Sequence, residues 1–215
     1  MYKYCCLIAL CLTLTNFDSK KEEKPTSASH LPSIKTESKT TDFYEELSIA
    51  AVSIIDPEVV YTPDYVSIKY PNGDVPAKTG VCTDVIIRAY RKLNIDLQKE
   101  VHEDMVANFK LYPNLKKWGL KKPDTNIDHR RVPNLETFFR RKGAKLAISD
   151  NPDDYKPGEI VSWIIDGELT HIGIVTHLRS EDGKRPLIVH NMGYGQLLDD
   201  CLFIDKIVGH FKYQK

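Results

Sequence analysis

The stretch from Glu159 to Tyr213 constrains the fold most. It runs in short apolar segments, EIVSWII, HIGIVTHL, PLIVH and CLFIDKIVGHFKY, separated by Asp166-Gly167, Asp182-Gly183 and the glycine-rich NMGYGQ. Apolar runs of that length between turn residues are the pattern of β-strands. They follow one another closely, so antiparallel pairing in a meandering sheet is expected. Before Gly143 the spacing is helical. TDFYEELSIAAVSIIDP offers Asp42 as N-cap, Glu45 and Glu46 in a first turn, and apolar Leu47, Ala50, Ala51, Ile54 and Ile55, with Pro57 as a stop. From Cys82 to about Leu93, Val85, Ile86, Ala89 and Tyr90 form one face and Arg88, Arg91 and Lys92 the other. LQKEVHEDMVANFKLY predicts another helix, and a further one begins at Asn134 and is closed by Gly143. VVYTPDYVSIKYPNGDVP reads as short extended pieces. The expected fold class is α+β, with N-terminal helices packed on an antiparallel sheet.

The 215 residues, 41% of them hydrophobic, supply a core for one domain and not two. Lys and Arg number 30, as do Asp and Glu, and no segment gathers basic residues on one face, so a nucleic-acid partner is set aside. Residues 1–19 have Lys3 ahead of an apolar run from Cys5 to Leu14, the layout of an export signal. About ten such residues are too few to span a bilayer. Residues 20–41 are Lys, Glu, Ser, Thr and Pro with hardly a large apolar side chain, the composition of a disordered tether. The domain is therefore expected over 42–215, exported to the periplasm or cell envelope. Cys11 after Leu7–Leu10 loosely resembles a lipid-attachment cysteine, although Leu10 stands where a small residue is usual, and membrane attachment there is a second expectation.

Without the signal, two of the five cysteines remain, Cys82 and Cys201. A disulfide between them is one reading; the other leaves Cys201 as a small apolar side chain and gives Cys82 a chemical role. At a helix start, unpaired backbone N–H groups and the helix dipole lower a thiol pKa, as a nucleophile requires. Its base can be distant in sequence. His171 opens a strand and shares a face with Gly173 and Val175, and the glycine leaves room for a partner. His190 ends the next strand and is placed to fix the His171 tautomer. His30, His102, His177 and His210 have no implied partner. No HExxH or CxxC spacing supports a metal, and no cofactor is expected.

A cysteine at a helix start, PGEIVSW as the first sheet strand, HIGIV, and a strand ending in IVH together resemble the NlpC-like branch of the papain-like cysteine peptidases. GVCTDVIIRAYR, DLQ with HEDM, NIDHRRVPNL, HIGIV and VHNMG resemble more closely the bacterial family of domain of unknown function 1287 (DUF1287), over roughly residues 56–213. The resemblance implies a papain-like fold with Cys82 as nucleophile, His171 as base and His190 as orienting residue, Asn191 being the runner-up for that third role. Val81 precedes the cysteine and Thr83-Asp84 follow it, where NlpC-like enzymes commonly have an acidic or small residue and then Ser-Gly. Cys82 and His171 also lie farther apart than is usual, implying an insertion over about 95–151.

That insertion carries Asp128, Arg130 and Arg131. The arginines are candidates to grip a substrate carboxylate; the competing reading is that Asp128 pairs with one of them to pin a loop. Asp84 is grouped with them as a candidate substrate contact, but it also suits the helix dipole, and beside a catalytic thiolate it should point away, toward a backbone or arginine partner. The resulting expectation is an exported, monomeric cysteine peptidase or amidase acting on peptidoglycan peptides. The rivals are an acyltransferase on the same fold and a non-catalytic wall-binding or assembly module.

Overall fold

The computed structural model describes residues 42–215; the expected export signal, Cys11 and the tether lie outside them. Helix α1, Phe43–Ser53, buries Leu47, Ser48, Ala50 and Ala51. Two short strands, β1 (Val60–Tyr61) and β2 (Thr79–Gly80), pair in parallel and lead into α2, Cys82–Lys92. Then come α3 (Leu97–Asn108), the short α4 (Asn114–Trp118), a 3-10 turn at Asp128–Arg130 and α5 (Val132–Arg141). α5 begins at Val132 rather than Asn134, because Pro133 occupies its first turn, where a missing N–H costs nothing. Gly143 follows with φ at 71°, the left-handed conformation that closes helices. The stretch 95–151 is thus largely helical. Among the described residues, no helix is long and apolar enough to cross a membrane.

The sheet has five antiparallel strands: β3 (Ile160–Ile165), β4 (Leu169–Arg179), β5 (Pro186–His190), β6 (Leu197–Asp199) and β7 (Lys206–Phe211), in the order β6-β5-β4-β3-β7. Helices and antiparallel sheet make the class α+β. Two expectations are corrected. β6 arises just after the glycine-rich loop, and Cys201 to Asp205 forms turns rather than the start of a strand. β7 returns to the far edge, beside β3, so the meander covers only β3 to β6. The reason is burial: β3 is interior on both faces over Ile160–Trp163, and its second edge needs a hydrogen-bonding partner.

Alternation along the strands divides the core. Ile160, Ile172, Ile174, Val189 and Phe211 join the main cluster with Val85, Ile86, Ala89 and Tyr90 of α2. Val161, Trp163, Val175 and Ile188 face the other way, onto Tyr155, Cys201 and Leu202, and the Trp163 indole N–H donates to the Leu202 carbonyl at 2.9 Å. His171 and His190 belong to this second face, since His171 lies opposite Trp163 in register and His190 is two residues beyond Ile188.

Gly173 is required between them. A Cβ there would lie 2.6 Å from Ile188 Cγ2, 3.1 Å from the Val189 carbonyl oxygen and 3.2 Å from His190 Cβ. Gly173→Ala is therefore expected to lower stability by about 1–3 kcal/mol through overpacking, read as a lower urea midpoint at unchanged slope.

Candidate active site

Cys82 is the first residue of α2, and Asp84 determines that the helix begins there. The Asp84 N–H donates to the Val81 carbonyl at 3.0 Å, and the Asp84 carboxylate accepts the Val81 N–H at 2.7 Å, closing the first turn reciprocally. Arg130 completes the arrangement. Its Nε donates to Asp84 Oδ1 at 2.9 Å and its Nη2 to Oδ2 at 3.0 Å, with both side chains only 2% exposed. The same guanidinium donates to the Thr62 and Asp64 carbonyls at 3.4 and 3.3 Å. Asp84 thus points to a backbone N–H and an arginine, as expected beside a catalytic cysteine. Both members of the pair have their polar atoms hydrogen-bonded inside the fold, and Arg130 also lines the cleft onto which Cys82 opens.

The Cys82 sulfur is nearly buried, the residue being 3% exposed. Burial pushes its thiol up to about 12, and the Asp84 charge adds to this, while the nearby N–H groups of Ile172 and Thr83 and the Tyr61 hydroxyl oppose it. The expectation of a thiol pKa lowered by the helix start is overturned here: desolvation outweighs the helix terminus, and the resting group is a protonated thiol. Cys82 and Cys201 are both free, so the disulfide reading is overturned as well.

The Ile172 N–H near the sulfur belongs to the residue after His171, so the thiol lies by the start of β4, on its helix side. His171 Nε2 is 2.8 Å from His190 Nδ1, with the rings edge-on and their centroids 5.0 Å apart. The Trp163 ring covers His171 at 5.7 Å. Burial, reinforced by His190, pushes His171 down to about 3 and keeps it neutral. Asn191 instead turns the following loop, its Oδ1 accepting the Gly193 N–H at 3.0 Å.

Two further groups meet His190. Asp199 Oδ2 lies 2.9 Å from its Nε2, and Cys201 Sγ lies 3.7 Å from the same nitrogen. Neither contact is implied by the sequence, because LLD, directly after the glycine-rich NMGYGQ, is too short an apolar run to mark a strand by itself. The signal was there: a glycine-rich turn followed by LLD forms a hairpin with PLIVH, and pairing Ile188 with Asp199 places Asp199 on the His190 face. Among the described residues, no group of three or more His, Cys, Asp or Glu side chains is arranged to hold a metal.

Cys82 opens onto a cleft of about 310 Å³ lined also by Tyr61, Trp118, Arg131, Pro133 and Thr170. Arg131 lies flat over Trp118, 4.3 Å from the ring centroid, and is 3.4 Å from Asp128 Oδ1. Asp128 is buried and is also held by Asn114 Nδ2 at 2.9 Å, so it anchors the loop before α5. A larger cavity of about 500 Å³, bordered by Asp56, Asp74, Lys78, Arg88 and Arg91, is not lined by Cys82; the thiol, rather than size, singles out the Cys82 cleft.

The family model described as domain of unknown function (DUF1287) matches residues 48–213. Uncharacterized protein YijF of Escherichia coli (strain K12) is 54% identical over 153 residues, covering 71% of this chain and 73% of that protein. Among solved structures, an N-acetylmuramoyl-L-alanine amidase from Bacteroides uniformis ATCC 8492 overlaps 78% of this chain and 96% of its own, at 12% identity and a TM-score of 0.43.

Asp84→Ala removes the cap of α2 and strands a charged Arg130 in the interior, an expected loss of about 3–5 kcal/mol in urea unfolding, of which adding Arg130→Met recovers a substantial part. Acid should also weaken the fold. His171 and His129 are held neutral mainly by burial, each pushed down to about 3, whereas the unfolded chain protonates each near 6.5. Between those values the unfolded state binds more protons, so stability falls as pH drops below about 6.5. From pH 7 to pH 5 each histidine is expected to cost about 2 kcal/mol, with a shallower dependence in His129→Gln, read from urea midpoints across that range.

Proposed function

Since the chain belongs to the DUF1287 family, we propose that it is an exported thiol hydrolase of papain-like, NlpC-like fold that cleaves amide bonds in peptidoglycan peptides. The observation that carries this reading is the hydrogen bond between His171 of β4 and His190 of β5, one residue along β4 from the Ile172 N–H near the Cys82 sulfur, with Cys82 itself lining a cleft. His190 engages Nε2 of His171, which leaves the other ring nitrogen, Nδ1, for proton transfer with the thiol in this reading.

A neutral thiol beside a neutral imidazole calls for general-base attack rather than a preformed ion pair. As the Cys82 sulfur bonds to the substrate carbonyl carbon, its proton passes to His171 Nδ1, and the oxyanion is received by the backbone N–H of Cys82. His171 then gives that proton to the departing amine as the C–N bond breaks, leaving a thioester. Water, losing a proton to His171, forms the new C–O bond and displaces the sulfur, which regains its proton. Arg131, held against Trp118 with part of its guanidinium open to the cleft, is the cation available to a substrate carboxylate, and wall stem peptides carry such groups. Export, by the segment 1–19, would bring the domain to that substrate.

One observation favours the second reading, a non-catalytic wall-binding module: the 3% exposure of Cys82. Digestion of purified sacculi separates the two. The wild-type protein should release peptides with new amine and carboxyl ends, identified by mass, and Cys82→Ala should reduce the rate by about 10³-fold or more. Undiminished cleavage by Cys82→Ala rules out the thiol mechanism; no release by the wild type favours the binding module, and a peptide product joined to an acceptor amine or hydroxyl identifies an acyltransferase.

A further inference from the structure

Asp199 makes a contact that the reaction above leaves unexplained. Its Oδ2 sits 2.9 Å from His190 Nε2, and the far nitrogen of the same ring, Nδ1, sits 2.8 Å from His171 Nε2. An ionised carboxylate only accepts hydrogen bonds, so the nitrogen facing it carries the hydrogen. In a neutral imidazole the other nitrogen is then the acceptor. His190 therefore presents a lone pair at Nδ1, and His171 must donate to it from Nε2. The remaining lone pair of His171 is left on Nδ1, the nitrogen that the mechanism requires as base.

We propose that Asp199 is a positioning residue that sets the tautomers of both histidines in series, and that the base function of His171 depends on a carboxylate two hydrogen bonds away. The inference rests on the hydrolase reading for its consequence, though not for its geometry. Asp199 is suited to this through directionality more than charge: its side chain is 51% exposed, so solvent screens its Coulombic reach, while the hydrogen bond still selects one nitrogen. Cys201, at 3.7 Å from the same nitrogen, is a weaker and longer partner and cannot impose the selection. Were His190 to carry hydrogens on both nitrogens, the bond between the rings would reverse. His171 would then hold its hydrogen on Nδ1 and could not accept the thiol proton.

The test reads the rings directly. Long-range 15N–1H correlation spectra of the histidine side chains, recorded on the full chain at pH 7.5 and assigned with His171→Gln and His190→Gln, should show both rings of the wild type as single Nε2–H tautomers. In Asp199→Ala, His190 should populate the Nδ1–H tautomer and the His171 signals should move to a mixture. Asp199→Asn keeps an accepting side-chain oxygen and should retain the wild-type pattern. On sacculi, Asp199→Ala should lower kcat by about 10-fold or more at unchanged KM, within the ~10²–10⁴ that positioned proton transfer contributes, and Asp199→Asn should restore most of it. Wild-type rings carrying Nδ1–H, or tautomers untouched by Asp199→Ala, would overturn the inference whatever the activity. If the tautomers shift as expected while no form of the protein cleaves sacculi, the hydrolase reading fails and the tautomer relay stands.

Discussion

The carboxylate of Asp84 is the interaction on which the site depends. It takes the Val81 N–H and both arms of Arg130 while both side chains are almost wholly buried, and so fixes three things together: where α2 starts, where the turn carrying Arg130 docks, and how the segment after β1 lies along the helix. A buried pair of this kind adds little net stability over a well-packed apolar substitute, since both charges must be desolvated. What it contributes is position. Cys82 is the next residue after the capped Val81, and its sulfur can meet β4 only if the first turn is held in one register.

The sheet supplies the complementary constraint. It is covered on both faces, so each strand residue is committed by parity to the helix side or to the smaller Trp163 cluster. Ile172 and Ile174 go to the helices, and His171 goes to the other face, where Gly173 leaves space for His190. The cysteine and the histidines thus lie on opposite sides of the sheet, with the Ile172 backbone at the start of β4 between them. That arrangement buries the Cys82 thiol and the His171 ring and leaves both uncharged at rest. A neutral thiol and a neutral imidazole avoid the cost of two desolvated ions; in the proposed mechanism charge would separate only as the thiol attacks a carbonyl group.

Beyond the family match and the α+β class, the reading of wall-peptide hydrolysis draws its strength from the local chemistry of one cleft. A partly open arginine over Trp118 and a thiol at a helix start line it, and the hydrogen-bonded pair of imidazoles begins at the residue before Ile172, whose N–H lies near that thiol. The larger cavity beside the end of α2 pairs Asp74 with Arg88 and Arg91 and has no cysteine in its lining.

Much of this was legible in the residues. The helical period from Val85 to Tyr90 placed Cys82 at a helix start, alternation placed His171 with Gly173 and opposite Ile172, and Asp166-Gly167 and Asp182-Gly183 marked turns between strands, because these features depend on local backbone geometry and on a side-chain period of two or 3.6. What depends on contacts between distant segments was not legible. Nothing near Asp84 announces that its partner is Arg130, and no local pattern sends β7 to the far edge of the sheet. The protonation of Cys82 was misjudged for the same reason: the helix start is a local feature, whereas the desolvation that outweighs it comes from the neighbours that only the folded chain assembles around the sulfur.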